Sequence, residues 1–498
     1  MNIAMLLDMA AEGMADRPAV GSRTDGITYG QLNERSGQAA SLISASETQR
    51  VGFVGSNSNV LPLLLFASAR AGVPFVPINY RLADDRLSTL LSKIAPAMVV
   101  SDEDDRIGGV EGLDVRGCHR FEAEIEGLPA EEHAHTDPDA VAVWLFTSGT
   151  TGEPKAALLR HRHVVSYVLT TLEFMSSEEH EATLVSVPPY HIAGVAAILS
   201  SIYTGRRIVY LPQFDADEWV ELARREQVTH AMVVPTMLSR ILDVLDDTAV
   251  ALPHLSHLSY GGGRMPRAVI DRAMALLPDV GFTNAYGLTE TSSTIAVLGP
   301  EDHREAFSSR DPAVRARLAS VGRPLPALEL EIRDEEGRRL PSGHGGEIYV
   351  RGEQIAGEYE NGTRLSDDGW FATNDAGFLD DGGFLFVEGR LDDVIVRGGE
   401  NISPGEIESV LVEHPAVREA AVVGVPDDEW GECPAAAVVL ERDSGVEPLE
   451  LQRWVRSRVR STRTPVALAF RQELPHNETG KLLRRVLREE LAQAPRLP

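Results

Sequence analysis

Lysine is almost missing from this chain. Of 47 basic residues in 498, only Lys93, Lys155 and Lys481 are lysines. Arginine-favouring codon bias accounts for the scarcity but not for the positions that remain. Lysine carries a compact, swinging ammonium that arginine's planar fork does not reproduce, so each survivor is a candidate for chemistry. Positive charge is also short: 75 acidic residues set the formal net charge at −28. Such a surface repels nucleic acid and anionic membranes, so an anionic ligand must find a local exception. The two cysteines, Cys118 and Cys433, are too few and too far apart for a disulfide framework or a zinc pattern, and they suit a reducing, cytoplasmic setting. No apolar run reaches the roughly 18 residues of a membrane span; residues 61–78 come nearest and Arg70 interrupts them. The first residues, Met1 to Asp8, lack the basic stretch of a secretory leader.

What is present reads as an ordinary globular chain, long enough for two or three domains. Up to about residue 390, apolar runs alternate with helical patterns, which predicts an α/β fold with largely parallel sheets. Residues 73–78, 97–100, 141–146 and 231–234 are strand candidates, and 28–43, capped by Thr28, and 216–226 are helix candidates. The character changes near 380. Hairpin signals at 384–387, 392–396 and Gly398-Gly399 precede Ser403-Pro404-Gly405-Glu406, which reads as a capping-box helix start. Strands at 420–424 and 435–440 and helices near 448–460 and 481–491 complete a small α+β unit. The expected division is a large multi-sheet domain over 1–390 and a small mobile α+β domain over 391–498.

Directly after the strand candidate ending at Phe146 stands Thr147-Ser148-Gly149-Thr150-Thr151-Gly152-Glu153-Pro154-Lys155. Its glycines permit close backbone approach, four hydroxyls supply donors and a lysine follows, which are the parts of a phosphate-cradling loop. The spacing is not that of a Walker A loop, since Gly149 and Gly152 stand too close and Lys155 follows Pro154. A plain Ser/Thr/Gly turn has the same composition. A lysine in a chain with three weighs toward phosphate.

With this loop, six further motifs in order resemble the AMP-forming acyl-CoA synthetases of the adenylate-forming superfamily. They are Tyr286-Gly287-Leu288-Thr289-Glu290, the stretch from Gly346 to Gly352, the stretch from Gly369 to Asp375, Glu388-Gly389-Arg390-Leu391-Asp392, the stretch from Gly398 to Pro404, and Pro475-His476-Asn477-Glu478-Thr479-Gly480-Lys481. The resemblance implies an ATP-dependent carboxylic acid:CoA ligase working through acyl-AMP, with ATP, Mg²⁺ and CoA as its small-molecule partners. It places Thr147, Ser148, Gly149, Thr150, Thr151, Gly152 and Lys155 on the β- and γ-phosphates, Thr289 on the α-phosphate, and Mg²⁺ on Glu290 and Thr147. Asp375 would grip the ribose hydroxyls and Arg390 would add a ribose or phosphate contact. Tyr286 would stack on adenine, with Asn284, Ala285 and Gly287 beside it and the backbone of Gly262, Gly263 and Arg264 along the purine edge. His191, in Pro188-Pro189-Tyr190-His191, would close the carboxylate site, with Val234 and Tyr260 among its walls. Lys481 would bridge carboxylate and α-phosphate during adenylation. Asp392 would be the hinge about which the small domain turns, bringing Gly398, Gly399 and Glu400 to the pantetheine channel.

Three residues depart from the family pattern: Asn374 and Ala156 stand where glycine is usual, and bulky Tyr260 stands where a small residue is common. The substrate expected is a fatty or other apolar acid. An enzyme that loads a carrier protein and a non-catalytic nucleotide sensor are the alternatives. The resemblance also admits a homodimer and makes Lys481 a candidate for a protein acetyltransferase.

Overall fold

The structure is a computed structural model and describes residues 1–103, 106–107, 109–131, 137–147, 155–248, 251–441, 444–476 and 482–497. Two large sheets form the body. In the first, of nine strands, the centre is parallel and runs Gly281–Leu288, His257–Gly261, His230–Val233, Ala182–Val185, Arg207–Tyr210. The second, of eight strands, joins Lys155–Arg160, Val141–Thr147, Phe75–Ile78, Val51–Val54 and Ala97–Ser101. Predominantly apolar strands such as Ala97–Ser101 are buried throughout, as parallel strands covered on both faces must be.

Helices Ala4–Met14, Tyr29–Ser44, Val60–Arg70 and Ile192–Thr204 contribute the largest core cluster. Thr28 starts the second of these as expected. Its hydroxyl accepts from the Gln31 amide at 3.2 Å, while Gln31 Oε1 accepts from the Thr28 amide at 2.9 Å. Helix Val60–Arg70 is buried along its whole length, which explains the apolar run without a membrane. Its Arg70 ion-pairs Asp8 at 2.6 Å and donates to Ser36 Oγ at 2.9 Å. No helix among the described residues is long and apolar enough to cross a membrane.

The expectation of largely parallel sheets to residue 390 needs a correction. Glu329–Arg333, Gly346–Arg351, Phe371–Leu379 and Leu385–Arg390 form a separate antiparallel sheet. Burial alternates along most of Phe371–Leu379, because only one face of this sheet meets the core.

Beyond it lies the smaller domain, a five-stranded sheet built on the hairpin Val417–Asp427 and Gly431–Leu440, with helices Pro404–Val412, Pro448–Arg456 and Arg484–Leu491. The capping box at Ser403 does not form. The Ser403 hydroxyl instead donates to the Glu388 carbonyl at 3.1 Å, and Glu406 pairs with Arg463. Lys93 falls in the last turn of helix Asp84–Ile94, where a cation meets the negative end of the helix dipole.

Candidate functional site

A cavity of about 330 Å³ opens where the three sheets of the large domain converge, lined by Thr147, Lys155, His191, Thr289, Glu290 and Arg390, among others. Thr147 ends one strand and Lys155 begins the next in the same antiparallel hairpin, with the two residues paired in register. The Thr147 hydroxyl donates to the Lys155 carbonyl at 3.3 Å. Ser148, Gly149, Thr150, Thr151 and Gly152, between them, lie outside the described residues, as does Lys481.

Thr289 and Glu290 enter on a 3-10 turn directly after strand Gly281–Leu288. A side chain at Gly287 could not be accommodated, since its Cβ would lie 1.8 Å from the Ser293 carbonyl oxygen. Segment 356–359 wraps Glu290. The amides of Ala356 and Gly357 donate to its backbone carbonyl at 2.9 and 3.0 Å, and the Tyr359 hydroxyl donates to its carboxylate. Burial, then the charge of Glu290, holds the Tyr359 hydroxyl well above its ordinary pKa, so it stays a donor. Tyr359 went unnoticed in the sequence, where nothing marks a tyrosine 69 residues from its partner.

The antiparallel sheet supplies the other wall. Asp375 and Arg390 face each other on adjacent strands, 3.1 Å apart. The Tyr286 hydroxyl donates to the same carboxylate at 2.6 Å. Asp375 is only 4% exposed. Burial lowers the Arg390 pKa, but Asp375, Glu290 and Tyr286 together outweigh it and the net shift is upward. The Tyr286 phenol is raised by burial first and by Asp375 second. The Tyr286 ring packs against the buried clusters around Ile295 and Ile332, so in this structure it braces Asp375.

His191 caps helix Ile192–Thr204, its ring 5.2 Å from that of Tyr190. Ile192, Ala193, Met232, Val234 and Ala285 add an uncharged wall to the cavity, together with Gly261, Gly262 and Gly287.

Several expected residues lie elsewhere. Tyr260 is fully buried in the core behind its strand, its hydroxyl 2.8 Å from His303 Nε2, and does not narrow the cavity. The strand alternation that turns Leu258 inward turns Tyr260 inward too. Asn284 donates to the Ser320 carbonyl at 3.1 Å, away from the cavity lining. Gly263 and Arg264 do not line it either, and the Arg264 guanidinium crosses to the small domain, donating to the Gly405 carbonyl at 2.7 Å and to Ser409. Gly398, Gly399 and Glu400 also sit away from the cavity. The Gly398 amide donates to the Trp430 carbonyl at 2.8 Å and Glu400 pairs with Arg463 at 3.4 Å. Asp392 does border the cavity, as does Asn374.

Two family profiles match the chain: AMP-binding enzyme over residues 7–360, and AMP-binding enzyme C-terminal domain over residues 406–481. The chain belongs to the AMP-binding enzyme family. This AMP-binding enzyme is 32% identical to the fatty acid–[acyl-carrier-protein] ligase ScoC of Streptomyces coeruleorubidus, over 95% of this chain and 93% of that protein. It is 33% identical to the 2-succinylbenzoate–CoA ligase of Bacillus licheniformis, over 97% and 98%. Among solved structures it is similar to ATP-bound MatB from Rhodopseudomonas palustris, with a TM-score of 0.87, 27% identity and 99% coverage of both chains. As an AMP-binding enzyme it is an ATP-dependent, acyl-adenylating acid–thiol ligase of the AMP-forming type.

Proposed function

We propose that the protein joins an apolar monocarboxylic acid to the thiol of CoA in two half-reactions within the cavity described above. The observation that carries this reading is the convergence of Thr147, Lys155, His191, Thr289, Glu290 and Arg390 from separate elements on one cavity, with Asp375 held just behind Arg390. Joining a carboxylate to the α-phosphorus of ATP brings two anions together, so cations and oriented donors are required in an otherwise acidic protein.

In the first half-reaction a carboxylate oxygen of the acid adds to the α-phosphorus and pyrophosphate leaves. Lys155 and the loop 147–155 hold the departing phosphates, Thr289 donates to the α-phosphate, and Asp375 accepts from the ribose hydroxyls with Arg390 beside it. His191 closes the acid site, and Lys481 bridges the two reacting anions. Glu290 and Thr147 are hard oxygen donors on one cavity and fit a Mg²⁺ ion that takes its remaining ligands from phosphate and water. When bound, the ion neutralises phosphate charge.

In the second half-reaction the thiol attacks the acyl carbon and AMP leaves. We assign the division of domains to 1–390 and 391–498, with Asp392 as the hinge and Gly398, Gly399 and Glu400 brought to the thiol channel by rotation. The uncharged wall around Ile192, Ala193, Met232 and Val234 favours an apolar acid over a dicarboxylate. Two free cysteines, Cys118 partly buried and Cys433 buried, agree with a cytoplasmic setting.

The test is acid-dependent release of pyrophosphate and CoA-dependent release of AMP over a panel of fatty, aromatic and dicarboxylic acids. Apolar acids should support both. A panel in which no acid releases pyrophosphate would refute the ligase reading. The similarity to a carrier-protein ligase supports a second reading, transfer to a carrier phosphopantetheine. Acid-dependent pyrophosphate release that CoA does not follow, but a holo carrier protein does, would select it.

A further inference from the structure

Asp392 and Asp393 adjoin in the chain but are held from opposite sides. Asp392 Oδ2 accepts from Asn374 Nδ2 at 2.7 Å, and Asn374 belongs to strand Phe371–Leu379 of the large domain. Asp393 Oδ2 lies 3.3 Å from Arg484 Nε. Arg484 opens helix Arg484–Leu491 of the small domain, where it also pairs with Glu408 at 2.6 Å and donates to the Val422 carbonyl. The peptide between the two aspartates is thus where the hold of one domain ends and that of the other begins.

Asn374 is unusual in its own backbone. It sits at φ 61°, the left-handed region that asparagine tolerates better than most residues but that glycine occupies at no steric cost. A glycine there would have no amide to offer. The neighbouring strand Gly346–Arg351 fixes Asn374 firmly, the Asn374 N–H donating to Glu347 Oε1 at 3.1 Å. Its neighbour Asp375 pairs with Arg390, two residues before Asp392. The segment Arg390–Asp392 is therefore pinned at both ends to consecutive residues of one strand.

We propose that Asn374 is a positioning residue that clamps the large-domain end of the hinge. Rotation of the small domain then occurs at the Asp392–Asp393 peptide, with Asp392 kept on the large domain by the Asn374 bond while Arg484 carries Asp393 with the small domain. A neutral amide on a carboxylate exposed to water holds this end modestly, biasing the opening of the local turn by about fivefold. The inference rests on the assignment of Asp392 as the hinge.

Hydrogen exchange on the full-length protein tests it without any substrate. The Val394 amide donates to the Leu391 carbonyl at 3.2 Å and so reports the turn Leu391–Asp393. Asn374→Asp keeps the shape and sets carboxylate against carboxylate; Asn374→Gly relieves the backbone and removes the amide. Exchange across residues 391–394 should quicken about fivefold in both. The swap Asn374→Asp with Asp392→Asn, which restores a donor and an acceptor, should return it to within about twofold of the wild-type rate. Unchanged exchange in the single variants, a change in Asn374→Gly alone, or no rescue by the swap would each overturn the clamp. If exchange behaves as expected while no acid releases pyrophosphate, the clamp stands and the ligase reading fails.

Discussion

Replacing Asp375 by asparagine keeps the shape of the side chain and removes its charge. If Asp375 receives the ribose diol, the carboxylate accepts two hydroxyl donors at once, whereas an amide turns one of its two ends into a donor. One charge-assisted hydrogen bond is lost, worth about 2 kcal/mol, and the other falls to a neutral bond, costing about 1 kcal/mol more. Together they amount to about 3 kcal/mol, or roughly a hundredfold weaker nucleotide. The substitution also disturbs the donors from Tyr286 at 2.6 Å and Arg390 at 3.1 Å, so a drop in melting temperature is expected and must be separated from binding. Calorimetric titration with ATP and with 2′,3′-dideoxy-ATP achieves that. ATP should weaken about a hundredfold on Asp375→Asn, and the dideoxy analogue by less than about threefold, because it has no diol to lose. Equal weakening of both nucleotides would refute the ribose contact and reduce Asp375 to a structural partner of Arg390.

Removing the hydroxyl that holds Glu290, by Tyr359→Phe, should slow acid-dependent pyrophosphate release about tenfold, a loss typical of one hydrogen bond to a charged group; an unaltered rate would detach Tyr359 from the chemistry. Arg264→Ala severs a donor crossing between the domains, and limited proteolysis near residues 391–397 should quicken several-fold, with an unchanged digest counting against that contact. His161 and His163 are lowered to about 4, burial being the larger cause, whereas in the unfolded chain they titrate near 6.5. The unfolded state therefore takes up protons first on acidification, so the stability these groups contribute is complete above pH 6.5 and is lost as the pH falls toward 4, up to about 3 kcal/mol for each. Melting temperatures should drop across that window and drop less in His161→Asn, whose side chain can still accept from the Ile3 amide; parallel slopes would dismiss the assignment.

Much of the fold was legible because buried parallel strands are written as unbroken apolar runs, and Ala97–Ser101 and Phe75–Ile78 formed where such runs stand. Of the antiparallel sheet only the last strand, Leu385–Arg390, was signalled, because half of each strand faces away from the core: Phe371–Leu379 mixes Thr373, Asn374 and Asp375 with its apolar positions. Motif order located Glu290, Arg390 and His191 on one cavity. It misplaced Tyr260, although the alternation of Leu258 and Tyr260 against Ser259 and Gly261 carried the answer, since a strand cannot turn one of two alternate residues outward alone. The bond from Asn374 to Asp392 could not be read at all, because it depends on a positive backbone angle and on the 3-10 turn Leu391–Asp393 folding back beside the strand of Asn374.

The uncharged wall of the cavity and the buried carboxylate behind Arg390 hang from different sheets. Met232 and Ala285 belong to the nine-stranded sheet, Asp375 and Arg390 to the antiparallel one, and the Tyr286 hydroxyl is a bridge between them. Strand His257–Gly261 stands between the strand of Met232 and the strand of Tyr286, so a change in wall volume at Met232 is two strands removed from the bond to Asp375. Under the function proposed above, substitutions in the uncharged wall retune which acid is accepted, one residue at a time, without touching the carboxylate assigned to the ribose. An engineer wishing to redirect this protein should begin at Met232, whose unbranched side chain already adapts to irregular space, and leave Tyr286 alone.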